Sequence, residues 1–210
     1  MIDKLCLFLT NKIRKEMPEI DNERAEVIDY GIHMIIGEVP KIFLVLLVAY
    51  FLGVLKYTLL MVLMLLPYRA CSGGFHLKTH IGCIVSTTLF YCGVPKISNY
   101  FIFYNPLKLI LIIAIWIFGI IMISKYAPAD TENVPILRKG ERKQKKILSY
   151  IFLTAGLLAS IIIKNNEISN ILILGNIIQT MMITPFAYKI TNNKYGYEVY
   201  RNNTSETVLS

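Results

Sequence analysis

Residues 42–66 read IFLVLLVAYFLGVLKYTLLMVLMLL, an almost wholly apolar run that Gly53 and Lys56 interrupt. The interruptions leave pieces of about 11 to 14 residues, each reaching about 16 to 21 Å as a helix, short of a hydrocarbon core of about 30 Å. The run therefore predicts a re-entrant or broken hairpin in preference to two full spans. Lipid cannot satisfy the polar groups of such backbone, so it must be buried against protein or face water. That favours a polar cavity beside the stretch that follows.

Outward from this run, the chain is 55% hydrophobic with mean hydropathy +0.53. Four stronger apolar segments, at about 77–94, 106–124, 147–163 and 168–187, are long enough to cross a bilayer. The expected fold is an all-α integral membrane protein, one polytopic domain over 1–210. Residues 1–38 are read as interfacial or cytoplasmic amphipathic helices, 39–187 as the membrane-embedded core and 188–210 as a cytoplasmic tail. Within 2–15, Leu5, Phe8, Leu9 and Ile13 share a helical face suited to lying in the interface. A second helix is predicted from an Asp21 N-cap to a stop before Pro40. Its acidic residues, Glu23, Glu26, Asp29 and Glu38, argue against spanning. Residues 192–210 are polar and read as a frayed end, and the start of the chain has no pattern of a cleaved signal.

Formal charge is +8, and its clusters read first as topology and contact with anionic lipid, with nucleic acid not expected. Arg138, Lys139, Arg142, Lys143, Lys145 and Lys146 crowd one connection, which the positive-inside rule places in the cytoplasm. Parity then puts both termini inside, the Lys164–Glu167 connection outside, and Arg69, Lys78, His76 and His80 at the inner face. Lys96 and Lys108 flank the outer loop and weaken this assignment. Cys6, Cys71, Cys83 and Cys92 lack metal-type pairing, so no metal or organic cofactor is implied and one reactive thiol is the economical reading.

Tyr68-Arg69-Ala70-Cys71-Ser72-Gly73-Gly74-Phe75-His76-Leu77-Lys78-Thr79-His80-Ile81-Gly82-Cys83 sets two thiols, two imidazoles and a flexible glycine pair between apolar segments. A cysteine nucleophile and its base require that inventory. With a helix starting near Lys78 or Thr79, Cys83 lies one turn in, where the positive end of the helix dipole favours a thiolate. Taken alone, Cys83 is more often a small apolar helix residue. A continuous helix over 76–83 would hold His76 about 10 Å from Cys83 along the axis. Gly73 and Gly74 would have to let the chain curl back. His80 would meet Cys83 on one helical face without a bend, so spacing favours His80.

The Arg, the Gly-Phe-His unit and a Cys seven residues on, with Lys125-Tyr126-Ala127-Pro128 ahead of a basic cluster, resemble the AgrB family of accessory gene regulator membrane endopeptidases. The resemblance covers nearly the whole chain. It implies His76 and Cys83 as the catalytic pair and Arg69 as part of the motif; His80, from its spacing, and Gly73, Gly74 and Lys78, from their place beside the pair, are candidate supporting residues. Asp130 or Asn133 is a candidate to orient the histidine, against the plainer reading of a cytoplasmic loop. Arg69 reads equally well as a topology anchor. The implied activity is a cysteine endopeptidase of the bacterial cell membrane, acting in quorum sensing. It would cut the C-terminal tail from an AgrD-like propeptide through a thioester acyl-enzyme and close a thiolactone or lactone ring. A homodimer is implied by the resemblance alone. A peptide exporter and a peptide-binding adaptor that does not cut are the alternatives from other classes.

Overall fold

The computed structural model describes residues 2–200 apart from Pro18, Lys78, Asn99, 101–104 and 133–134; the side chains at 2–4, 22, 23, 26, 27, 30, 33, 34, 38, 80 and 105 also lie outside the description. Among the described residues there is no β-strand; an isolated bridge joins Gly73 to Ala129. α1 (Ile2–Glu16) packs on the first half of α2 (Asn22–Phe51), where Thr10 Oγ1 donates to Asp29 Oδ1 at 2.8 Å. Leu5, Leu7 and Phe8 of α1 are exposed, as an interfacial helix requires.

Asp21 caps α2 as expected, its Oδ1 accepting from the Arg24 N–H at 2.8 Å. The stop expected before Pro40 is absent, and α2 runs through it for 30 residues. Proline forfeits one backbone hydrogen bond, a loss that neighbouring elements compensate in membrane helices. Here the residues just past Pro40 are held by packing: Val45 and Ala49 are buried against Phe90 and Cys92. The apolar run at 42–66 does form a hairpin, turning at Leu52–Val54 with Gly53 at φ +71. Its arms, of 30 and 18 residues, are longer than the pieces expected from the interruption, because α2 extends back to Asn22 and α3 (Leu55–Ser72) extends forward past Leu66.

After α3, residues 74–79 are non-helical as far as described, and α4 (His80–Thr88), a π-helical turn (Leu89–Gly93) and α5 (Val94–Ser98) follow in series. α6 (Asn105–Tyr126) and α7 (Lys139–Ile162) come next. Among the described residues, three segments are long and apolar enough to cross a membrane: Ile81–Ser98, Pro106–Tyr126 and Lys139–Ile162. The expected span at 168–187 is divided. α8 (Asn166–Met181) ends, and Thr184 caps a short α9 (Pro185–Ile190) with Oγ1 accepting from the Ala187 N–H. The 16 residues of α8 reach about 24 Å. α8 is instead the central helix of the bundle, with Ile171, Leu172, Ile173, Asn176, Gln179 and Thr180 all buried.

Two apolar cores meet along α3 and α8. Tyr68 and Ile173 pack with Ile112, Ile115, Ile123, Leu153 and Leu157 from α6 and α7, while Met61, Leu65 and Ile171 pack with α2 and the π-helical turn. Ile110, Ile113, Ile117 and Ile121 of α6 point outward and are exposed. On a soluble protein such a surface would aggregate; in a bilayer it is the lipid-facing side. The expected frayed tail is partly folded. Tyr195 stacks on Tyr188 at 4.1 Å and donates to the Ile183 carbonyl at 2.9 Å, and Arg142 lies 4.3 Å over the Tyr197 ring. Aromatic area drives this return, which a polarity reading of 192–210 does not register.

Gly73 adopts φ +75, and a Cβ there would overlap the Ala129 carbonyl. Gly53→Ala meets open space and should cost only the backbone term of about 1–2 kcal/mol. Gly73→Ala should cost about 1–3 kcal/mol more, from the overlap. Unfolding of the purified variants in detergent micelles checks the order.

Candidate functional site

The segment leaving α3 is bound on both sides. Ala129 N–H donates to Ser72 O at 2.8 Å, and Gly74 N–H donates to Ala129 O at 2.9 Å. These bonds pin Gly73 and Gly74 to the connection between α6 and α7. Tyr188 then donates to the Ala129 and Asp130 carbonyls at 2.8 and 3.0 Å. Burial, with the neighbouring Tyr195 and Asp130 charges, pushes the Tyr188 phenol far above its ordinary range, so it remains a donor.

Arg69, on the last turn of α3, reaches across the segment. Its Nη2 donates to Phe75 O at 3.2 Å and its Nη1 to Gln179 Oε1 at 3.3 Å. Gln179 Nε2 donates to Ser72 Oγ and Gly73 O at 3.0 and 2.9 Å, and Asn193 Nδ2 donates to His76 O at 2.9 Å. Thus the backbone on either side of His76 is fixed from α3, α8 and the C-terminal segment.

Thr79 is the N-cap of α4, its Oγ1 accepting from the Gly82 N–H at 3.2 Å and its carbonyl from the Cys83 N–H at 3.0 Å. The helix expected to begin near Lys78 or Thr79 does so, and Cys83 completes its first turn. His76 precedes the helix, so no helical axis holds it away from Cys83. Arg69, His76, Cys83, Ser86, Tyr91 and Met182 all line one small cleft that is open at its mouth. Cys83 is half-buried and His76 exposed.

Other expected residues sit elsewhere. Asp130 is buried, and its Oδ2 accepts from the Ile136 N–H at 2.8 Å and pairs with Arg142 at 2.9 Å. It ties the α6–α7 connection to the start of α7. Cys71 is half-buried near the end of α3, and Lys78, Asn133 and the His80 side chain lie outside the described residues. Sequence reasoning passed over two side chains. Gln179 lay inside an apolar segment, where a single amide gives no motif. Lys41, beside Pro40 at the edge of the apolar run, is buried with its Nζ 3.8 Å from Cys83 Sγ.

The model of the accessory gene regulator B family matches residues 7–183. An AgrB-like protein of Clostridium acetobutylicum is 25% identical over 197 residues, covering 93% of this chain and 91% of its own length. One from Listeria monocytogenes serovar 1/2a is 28% identical over 193 residues, with 90% and 91% covered, and one from Clostridium perfringens is 31% identical over 153, with 70% and 69% covered. No solved structure matches. The chain belongs to the AgrB family, which places it in the accessory gene regulator system of quorum sensing, at a membrane, with an AgrD-related propeptide as partner.

Gln179→Leu removes the amide that joins Arg69 to Gly73 and leaves those groups short of a partner, a loss of about 1–3 kcal/mol in micelle unfolding. Asp130→Ala strands Arg142 and the Ile136 N–H and should cost about 3–5 kcal/mol. If Asp130 acts only through the fold, residual propeptide processing should track the folded fraction.

Proposed function

We propose that this chain is a membrane cysteine endopeptidase that processes an AgrD-like propeptide, with Cys83 as nucleophile and His76 as its base. The observation that carries the reading is the shared cleft, where the first helical turn of α4 presents a thiol and the pinned segment before it presents an imidazole. His76 takes the thiol proton, and Sγ attacks the carbonyl carbon at the junction between signal and tail. Carbon–nitrogen cleavage follows, His76 returns the proton to the departing amine, and the signal remains as a thioester on Cys83. The peptide's own cysteine or serine, its proton taken by His76, then attacks that carbonyl, breaking the bond to Cys83 Sγ, which receives the proton back, and closing a thiolactone or lactone.

Topology supports access from the cytoplasm. Arg69, Lys125, Arg138, Lys139, Arg142, Lys143, Lys145 and Lys146 lie on elements that meet at the cleft end of the bundle. The α2–α3 turn, Lys96 and the start of α8 mark the opposite end. The positive-inside rule places the cleft end in the cytoplasm and the opposite end outside. An acidic peptide tail would meet a field of opposite sign there.

Purified protein in liposomes, incubated with synthetic propeptide, should release the C-terminal tail. Cys83→Ala and His76→Ala should each abolish release, and His80→Ala should be partly tolerated. Undiminished cleavage in Cys83→Ala would leave a transport or adaptor role in its place; the reverse pattern for the two histidines would exchange their roles.

A further inference from the structure

A lysine amid apolar neighbours ordinarily extends its stem to place the ammonium in water. Lys41 does not: it is 7% exposed, turned inward from α2, with Nζ 3.8 Å from Cys83 Sγ. A thiolate at the Cys83 sulfur would meet that ammonium at contact distance. Around the sulfur, α3 contributes Arg69, the segment before α4 contributes His76 and the π-helical turn contributes Tyr91. Arg69 is turned toward Phe75 O, Gln179 and the Met182 sulfur. The Cys83 N–H, a natural candidate to hold an oxyanion, is committed to Thr79 O.

We propose that Lys41 is a further catalytic residue, its ammonium holding Cys83 Sγ as thiolate before the attack on the peptide carbonyl. The proposal deepens the endopeptidase reading and rests on Cys83 being the nucleophile. The proton balance is unchanged. Lys41 stays protonated throughout, His76 carries the thiol proton to the leaving amine, and the ammonium balances the sulfur's negative charge until the carbon–sulfur bond forms.

The test is the pH dependence of Cys83 alkylation by iodoacetamide in full-length protein, read by mass spectrometry in a Cys71→Ala background. Lys41→Met should raise the midpoint by about one unit and slow alkylation at neutral pH about tenfold, since only thiolate reacts. Lys41→Arg, which keeps the charge, should remain nearer the wild type. Lys41→Gln is the second variant should the methionine chain not fold. A variant that elutes and melts like the wild type, with an unchanged midpoint, overturns the proposal. In the wild type, a short bifunctional aryl fluoride should bridge Lys41 and Cys83. Modification of both residues without a bridge would overturn the placement itself. The two readings fail separately. Tail release persisting in Cys83→Ala removes the endopeptidase whatever the alkylation profile; an inactive Cys83→Ala beside an unshifted Lys41→Met removes only the lysine's role.

Discussion

The pair of backbone hydrogen bonds that Ala129 makes to Ser72 and Gly74 is the constraint on which the cleft depends. Beyond α3 the chain could leave in many directions, and glycines at φ +75 and +141 add to the choice. The Ala129 backbone selects one direction, and the other contacts follow from it. Gln179 can reach Gly73 O, Arg69 can reach Phe75 O, and Tyr188 can cap the Ala129 carbonyl. The positions of α6, α7 and α9 are thereby transmitted to the residue before His76. Each bond is worth about 1 kcal/mol net in water, and a polar network removed from water binds more firmly and tolerates less error.

The same economy governs the bundle interior. Between helices in lipid there is little hydrophobic driving force, so small residues and interhelical hydrogen bonds set the packing. Gly175 admits Leu65 and Gly119 admits Leu153 at separations that a Cβ would forbid. Tyr68 and Thr180 share a hydroxyl hydrogen bond at 2.9 Å, and Thr58 donates to Tyr91 O at the same distance. These contacts fix the rotation of α3 and α8, which sets the azimuth of Arg69 and Gln179. Packing deep in the bundle therefore decides how the cleft is furnished.

Much of this was legible in the residues. Long apolar runs state a helical membrane protein, Asp21 states a helix start, and the hairpin at Gly53 follows from its interruption. The spacing of His76 and Cys83 posed a geometric problem for a single helix over 76–83; α4 begins only at His80, and both residues line the cleft. What stayed hidden was held by tertiary contact. Pro40 has a strong local meaning that packing overrides, and the polar tail hides aromatic rings with a docking surface. Lys41 reads as a boundary charge because nothing local to α2 reports that α4 lies opposite it. Gln179 is one amide among apolar neighbours, and only Gly73 and Arg69 give it a purpose.

The cleft also bears on how a thioester, once formed, would be spared from hydrolysis. A partly enclosed site suggests that protein walls exclude water, yet His76 is exposed and the mouth of the cleft is open. Exclusion by the protein alone is therefore incomplete. On the proposed reaction the competing nucleophile is part of the same acyl chain, and a well-oriented intramolecular attack reaches effective molarities of about 10⁵ M and above, far beyond that of water. Holding the peptide in a bent conformation thus matters more than drying the site. The rigid elements suit that role, since α4 fixes the sulfur and the Ala129 and Arg69 contacts fix the stretch of backbone along which a peptide would lie. On the proposed reaction, orientation set by the backbone bonds at the end of α3 would be what divides ring closure from hydrolysis.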